Sequence, residues 1–318
     1  MRFLLKAYGL ILDSNVPVPG LDRALAGEAA QVRIELSERP GSWGSPAGKF
    51  YYASDWFDDR GEPALRVWQS DSEFHLVYSQ GPEFRIDRAG AWVAGAWPAG
   101  MTLEAVAYYL LGPVLGFLLR LRDTLCLHAG GAVIDGRAIL FAGGCGSGKS
   151  TLAASFARAG FPVLCDDLAA IRQEAGMSHV QPGYPRVKLW PDSAAALFGE
   201  SGALPVVAPE WDKRYLEISR TFAAAALPLA AIYLLRFQMD PGPPAFAPVT
   251  AREAVTSLVV NTYAYYLLDM NMRASELRSL AKLMAGVPVR SFTRPADFQQ
   301  AAASIDAIVT DVRSLCTP

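Results

Sequence analysis

Histidine and cysteine are scarce in this chain of 318 residues, which has three of the first and four of the second. Cys126, Cys145, Cys165 and Cys316 are widely spaced and form no CxxC pair. This argues against a structural zinc site and a disulfide framework, and it fits a reducing cytoplasm. Charge is also sparse. Only 19% of residues are charged and 52% are hydrophobic, which suits a folded core and not a disordered chain. The 29 basic and 31 acidic residues nearly cancel, without a block of one sign. No nucleic-acid or anionic-membrane partner is therefore expected.

Long apolar runs are missing as well. Residues 105–119 and 222–235 are the longest candidates, each contains a proline, and both fall short of the roughly 20 residues a bilayer span needs. The opening MRFLLKAYGLILDS lacks a small-residue cleavage site and is interrupted by Asp13, so it reads as a first strand and not as a secretion signal.

The length allows one large domain or two smaller ones. Residues 1–100 are β-rich, with short runs at 50–52, 64–68, 74–78 and 84–86 separated by turn residues such as Asp59-Arg60-Gly61. The aromatic residues there read as sheet core, although such a sheet can also dock a peptide. Residues 102–121 predict a connecting helix with Thr102 as N-cap and a kink at Gly112-Pro113. From 124 onward the pattern becomes α/β. Two apolar runs flank Asp135-Gly136, a hairpin signal, and the second run feeds a glycine loop. A helix over 149–159 and a strand over 161–165 follow, and then Asp166-Asp167. Further strands are expected near 215–218, 231–237 and 287–292, and helices near 192–198, 251–268, 274–285 and 295–312. Asp240-Pro241-Gly242-Pro243-Pro244 reads as a surface loop.

Gly143-Gly144-Cys145-Gly146-Ser147-Gly148-Lys149-Ser150 matches G-x-x-x-x-G-K-[ST] in full, between a predicted strand and a predicted helix. Glycines permit positive φ, so that backbone N–H groups curl around phosphates, and the helix that follows turns its positive end toward the same anion. Lys149 suits the β- and γ-phosphates, the Ser150 hydroxyl suits Mg²⁺, and Thr151 the α-phosphate. Nucleotide binding is thus expected. Asp166 lies only 17 residues after Lys149, at the end of a strand, where α/β sheets place ligands. Two adjacent carboxylates there can divide the work of holding a cation and accepting a proton. His128, on the strand two before the loop, is either an orienting partner for them or a core histidine.

The stretch LHAGGAVIDGRAILFAGGCGSGKSTLAASFARAGFPVLCDDLAAI resembles the HPr kinase/phosphorylase-like P-loop kinases, related in fold to phosphoenolpyruvate carboxykinases. GYPRVKLWPDS, over 183–193, resembles the lasso peptide tailoring branch, whose members phosphorylate a serine at or near the C-terminus of a precursor peptide. The resemblance implies an HPr kinase C-terminal-like mixed sheet with flanking helices over 124–318, preceded by the smaller β-rich domain. It implies ATP and Mg²⁺, with Lys149 on phosphate, Ser150 and Asp167 on Mg²⁺, Asp166 as general base and His128 supporting it. Arg186 and Lys188 are candidates for meeting a peptide carboxylate or the phosphates, or are ordinary cations of a strand. Lys213-Arg214 reads as a solvated surface pair. The C-terminal signature of bona fide HPr kinases is absent from 230–290, which weighs against HPr as acceptor. Three functions stay open: a kinase of a peptide serine, a kinase of a small hydroxylated molecule such as free serine or of an HPr-like protein, and a non-enzymatic nucleotide sensor; a carboxykinase is a weaker fourth, for which the chain is short. A homo-oligomer is also left open.

Overall fold

The computed structural model describes all but residues 26, 40–42, 200–203, 209–210, 239–241, 296–299 and 317–318. The chain divides between Arg122 and Asp123 into two compact units.

The first unit carries nine strands, β1 (Phe3–Ala7), β2 (Leu10–Ser14), β3 (Asp22–Arg23), β4 (Val32–Glu38), β5 (Lys49–Ala53), β6 (Leu65–Gln69), β7 (Glu73–Tyr78), β8 (Glu83–Asp87) and β9 (Trp92–Trp97). They form one sheet in the order β3-β1-β2-β4-β9-β8-β7-β6-β5. Burial alternates along its strands. In β4, Val32, Ile34 and Leu36 are buried while Arg33 is exposed, the period-two pattern of a sheet packed on one face. A helical segment covers that face: α1 (Leu103–Tyr109), a π-turn at Leu110–Val114, and α2 (Leu115–Leu121). Pro113 lies inside the π-turn, where the expected kink falls, because proline cannot donate the bond a regular helix needs. Phe117 packs edge-on against Phe74 at 4.9 Å, and the Tyr8 hydroxyl donates to the Leu111 carbonyl at 2.7 Å. The segment expected to be a connector is therefore core of the first unit. Leu103–Leu121 is long and apolar enough to cross a membrane, yet 78% of its most apolar 18-residue stretch is buried in the fold.

The second unit is built around β10 (Leu125–Leu127), β11 (Ala129–Ile134), β12 (Arg137–Ala142), α3 (Lys149–Arg158), β13 (Val163–Cys165), β14 (Ala169–Glu174) and β15 (Met177–Val180). Next come β16 (Arg186–Leu189), α4 (Pro191–Phe198), β17 (Val206–Ala208), β18 (Trp211–Glu217) and β19 (Leu227–Gln238). The chain ends with β20 (Ala245–Pro248), α5 (Ala251–Val260), α6 (Met270–Gly286), β21 (Val289–Pro295) and α7 (Ala301–Cys316). The main sheet runs β10-β14-β15-β19-β12-β11-β13, with β21 beside β19 and β20 beside β21, while β16-β18-β17 form a small second sheet. The surface loop expected at 240–244 begins outside the described residues; Pro295, the expected start of the last helix, instead ends β21, and that helix runs Ala301–Cys316.

Here both sheet faces are covered. Ile139, Phe141, Ala231 and Tyr233 pack with Leu152 and Phe156 of α3 and Ile308 and Val312 of α7. Leu140, Ala142, Ile232 and Leu234 point the other way, onto Leu258 of α5 and Leu280 and Leu283 of α6. Asp135 (φ 48°) and Gly136 (φ 76°) make the expected tight hairpin between β11 and β12.

The short loop-to-aspartate spacing has a topological cause. β12 and β13 both run antiparallel to β11, so they are parallel to each other with β11 between them. Parallel strands need a crossover of a dozen or more residues, and α3 supplies it by passing over β11. Gly130 allows this approach, since a Cβ there would sit 3.3 Å from the Lys149 carbonyl oxygen and 3.5 Å from Ala153 Cβ.

Candidate functional site

The phosphate loop joins β12 to α3. Gly146 (φ 77°) and Gly148 (φ 83°) adopt the left-handed region the loop requires, and Gly148 is the N-cap of α3. At Gly143 a Cβ would meet Ser147 Oγ at 2.8 Å. Lys149 is only 6% exposed, and its Nζ donates to the carbonyls of Gly143 at 2.8 Å and Gly144 at 3.0 Å. Burial lowers its proton affinity, while Asp167 and Asp166 oppose that shift.

Asp166 and Asp167 follow β13 directly and face different surroundings. The backbone turns at Asp167, whose φ of 69° is a left-handed conformation that Asp tolerates better than most residues. Asp166 is 4% exposed, and its Oδ2 accepts from the Lys188 backbone N–H at 2.9 Å. The nearby Ser150 hydroxyl favours the charged form, yet Oδ1 is buried with no aligned hydrogen-bond partner. Burial and the charge of Asp167 together push the Asp166 carboxyl above the usual range.

Asp167 is engaged on both oxygens. Lys188 Nζ lies 2.6 Å from Oδ2, His128 Nε2 3.2 Å from Oδ1, and the Tyr263 hydroxyl 3.4 Å from Oδ2. Burial pushes its proton affinity up, but Lys188 and His128 overcome this and hold the carboxyl well below the usual range.

His128 is not within a continuous strand, as the sequence reading had it. It sits at the break between β10, which pairs with β14, and β11, which pairs with β12 and β13. Its N–H donates to the Asn261 carbonyl at 2.6 Å, and its ring lies edge-on to Tyr263 at 6.0 Å. The strand exchange turns its side chain toward Asp167.

Of the two cations left ambiguous by sequence, Lys188 belongs to the cluster. It is 5% exposed and touches both aspartates, one through its backbone and one through its ammonium. Arg186, two residues away on β16, instead pairs with Glu217 and lies 4.9 Å from the Tyr215 ring centroid. Tyr263 and Asn261 carried no sequence signal, being separated from Asp167 by more than 90 residues. Lys213, read as solvated surface, is close enough to Lys149 to affect its charge, and its Nζ lies 5.1 Å from the Trp190 ring centroid.

The residues fit a divalent cation beside bound phosphates. The Ser150 hydroxyl at the helix start, close to Asp166, is a hard donor, and such ions at phosphate sites use few protein ligands. Asp167, expected to bind the metal, already has Lys188, His128 and Tyr263 on its oxygens.

No family model matches the chain, and no curated protein matches it. Solved structures do match. One is the "Hpr(Ser) kinase/phosphatase" from Coxiella burnetii, 12% identical with a TM-score of 0.33, covering 59% of this chain and 97% of that one. At that score and identity the likeness assigns neither activity nor substrate to this chain.

Proposed function

We propose that this protein is an ATP- and Mg²⁺-dependent kinase that transfers the γ-phosphate to a serine hydroxyl of a peptide, the C-terminal serine of a lasso peptide precursor being the acceptor the sequence resemblance favours. The observation that carries the kinase reading is Asp166. It is a buried carboxylate of raised proton affinity, with one unsatisfied oxygen, at the lip of the strand beside a complete phosphate loop. A base of that kind can take the proton of an attacking hydroxyl.

Each residue then has a role. The phosphate-loop N–H groups and the N-terminus of α3 hold the nucleotide phosphates. Lys149 leaves the carbonyls of Gly143 and Gly144 and pairs with the β- and γ-oxygens. Ser150 would hold Mg²⁺ with Asp166 beside it, and the ion would neutralise charge on the same oxygens. Asp166 receives the hydroxyl proton on Oδ1. Lys188 and His128 keep Asp167 ionised, and its fixed negative charge keeps Asp166 basic enough for that transfer.

The test is phosphotransfer followed by mass spectrometry, with Mg-ATP and three separate acceptors: a precursor peptide ending in serine, HPr, and free serine. A phosphate increment on the peptide, lost in Asp166→Asn, is the expected result. Phosphate on free serine alone would replace the acceptor and keep the chemistry. ATP binding without transfer to any acceptor, and without ATP turnover, would favour a nucleotide sensor.

A further inference from the structure

We propose that the nucleoside end of the bound nucleotide lies at Trp190, with the base stacked on the indole ring beside Lys213. This rests on the nucleotide-binding reading above and adds the subsite that the phosphate loop leaves undefined.

A phosphate loop has a direction. Its lysine reaches the β- and γ-phosphates, and the first turn of its helix holds the opposite end of the triphosphate. In this chain that opposite end is Thr151. Thr151 Oγ1 lies 3.1 Å from Ser193 Oγ, which places the first turn of α4 against the α-phosphate end of the loop. Trp190 is the N-cap of that helix, three residues before Ser193. It is 49% exposed, although its neighbour Leu189 and Tyr215 on the paired strand β18 are buried. A large ring left half open at the nucleoside end of a phosphate site offers a π-face with no packing role on its open side.

Lys213 strengthens the placement. Its Nζ lies 5.1 Å from the Trp190 centroid, within cation–π range, and its charge also reaches Lys149. The cation at the indole is therefore also felt at Lys149 of the phosphate loop. Stacking reads the face of a base and not its edge, so this subsite accepts adenine and guanine alike.

Calorimetry on the full chain tests this, with Mg-ATP, Mg-GTP and Mg-tripolyphosphate as ligands. Trp190→Ala should weaken both nucleotides about tenfold, leave tripolyphosphate within about twofold, and be largely rescued by Trp190→Phe. Unchanged nucleotide affinity in Trp190→Ala would place the base elsewhere and overturn the proposal. An equal loss for all three ligands would also overturn it, because Trp190 would then only shape the phosphate loop. If the native chain bound neither tripolyphosphate nor nucleotide, the nucleotide-binding reading itself would fall.

Discussion

The two units differ in where their largest charge clusters lie. In the first, the ion pairs among Arg2, Asp13, Glu35 and Arg33 lie on an open sheet face, with side chains 27% to 66% exposed. Water screens them, and pairs of this kind contribute between nothing and about 1 kcal/mol. In the second, Lys149, Asp166 and Lys188 are all within 6% of full burial at one end of a sheet covered on both faces. There a charge without its partner is costly, and proton affinities shift in both directions. The one-sided sheet exposes these pairs, and where it does bury one, His75 Nε2 2.9 Å from Glu83 Oε2, burial lowers the histidine's proton affinity. A two-sided sheet holds charge only where neighbouring groups fix it, and that is where chemistry becomes available.

The sharpest way to break this contrast is Asp166→Asn. The amide oxygen still accepts from the Lys188 N–H, but the base is gone. Transfer should fall about 10³-fold while nucleotide affinity changes little, read by single-turnover transfer and calorimetry. The fold should be as stable as before or more so, because a like charge beside Asp167 is removed from a buried site. Lys188→Met comes next. It strips the buried cation from Asp167 and should destabilise the second unit by about 2–4 kcal/mol in urea unfolding. The value stays below that of a fully buried pair because Asp167 keeps 25% of its side chain exposed.

The pH profile sharpens the comparison further. Asp166 works only when ionised, and its proton affinity is raised, so transfer should decline with acid from a pH above the ordinary carboxylate range of about 4. Asp167→Asn removes a negative neighbour and releases the Lys188 cation. Both changes lower the Asp166 proton affinity, so the acid limb should move to lower pH, and an upward shift would contradict the assignment of roles. The smallest effect is expected in the first unit. Arg2→Ala removes two ion pairs, yet should cost no more than about 1 kcal/mol in thermal unfolding.

Much of the second unit was legible in the sequence because its signals are local. Asp135-Gly136 has only one tight-turn solution between two apolar runs. The phosphate loop announces itself through glycines that need positive φ, and in the first unit the kink at Gly112-Pro113 follows from a missing N–H. His128 was located but misplaced, because periodicity cannot show a strand that changes partner mid-run. Lys188 and Arg186 could not be separated, since both alternate out of one short strand and differ only in what stands opposite. Lys213 reads as solvated in sequence because nothing local reveals that its strand pairs with β16 and brings it to Trp190.

The sequence by itself determined the phosphate loop, the helix behind it, the turns and the candidate aspartates, because each depends on backbone freedom or hydrogen bonding within a few residues. Only the tertiary structure decided which aspartate is paired and which is left with an unsatisfied oxygen. That difference comes from Lys188, His128 and Tyr263, brought to one point by the tertiary fold across as many as 96 residues. Proton affinity depends on burial and on charges a few ångströms away, and those distances exist only once the sheet has closed.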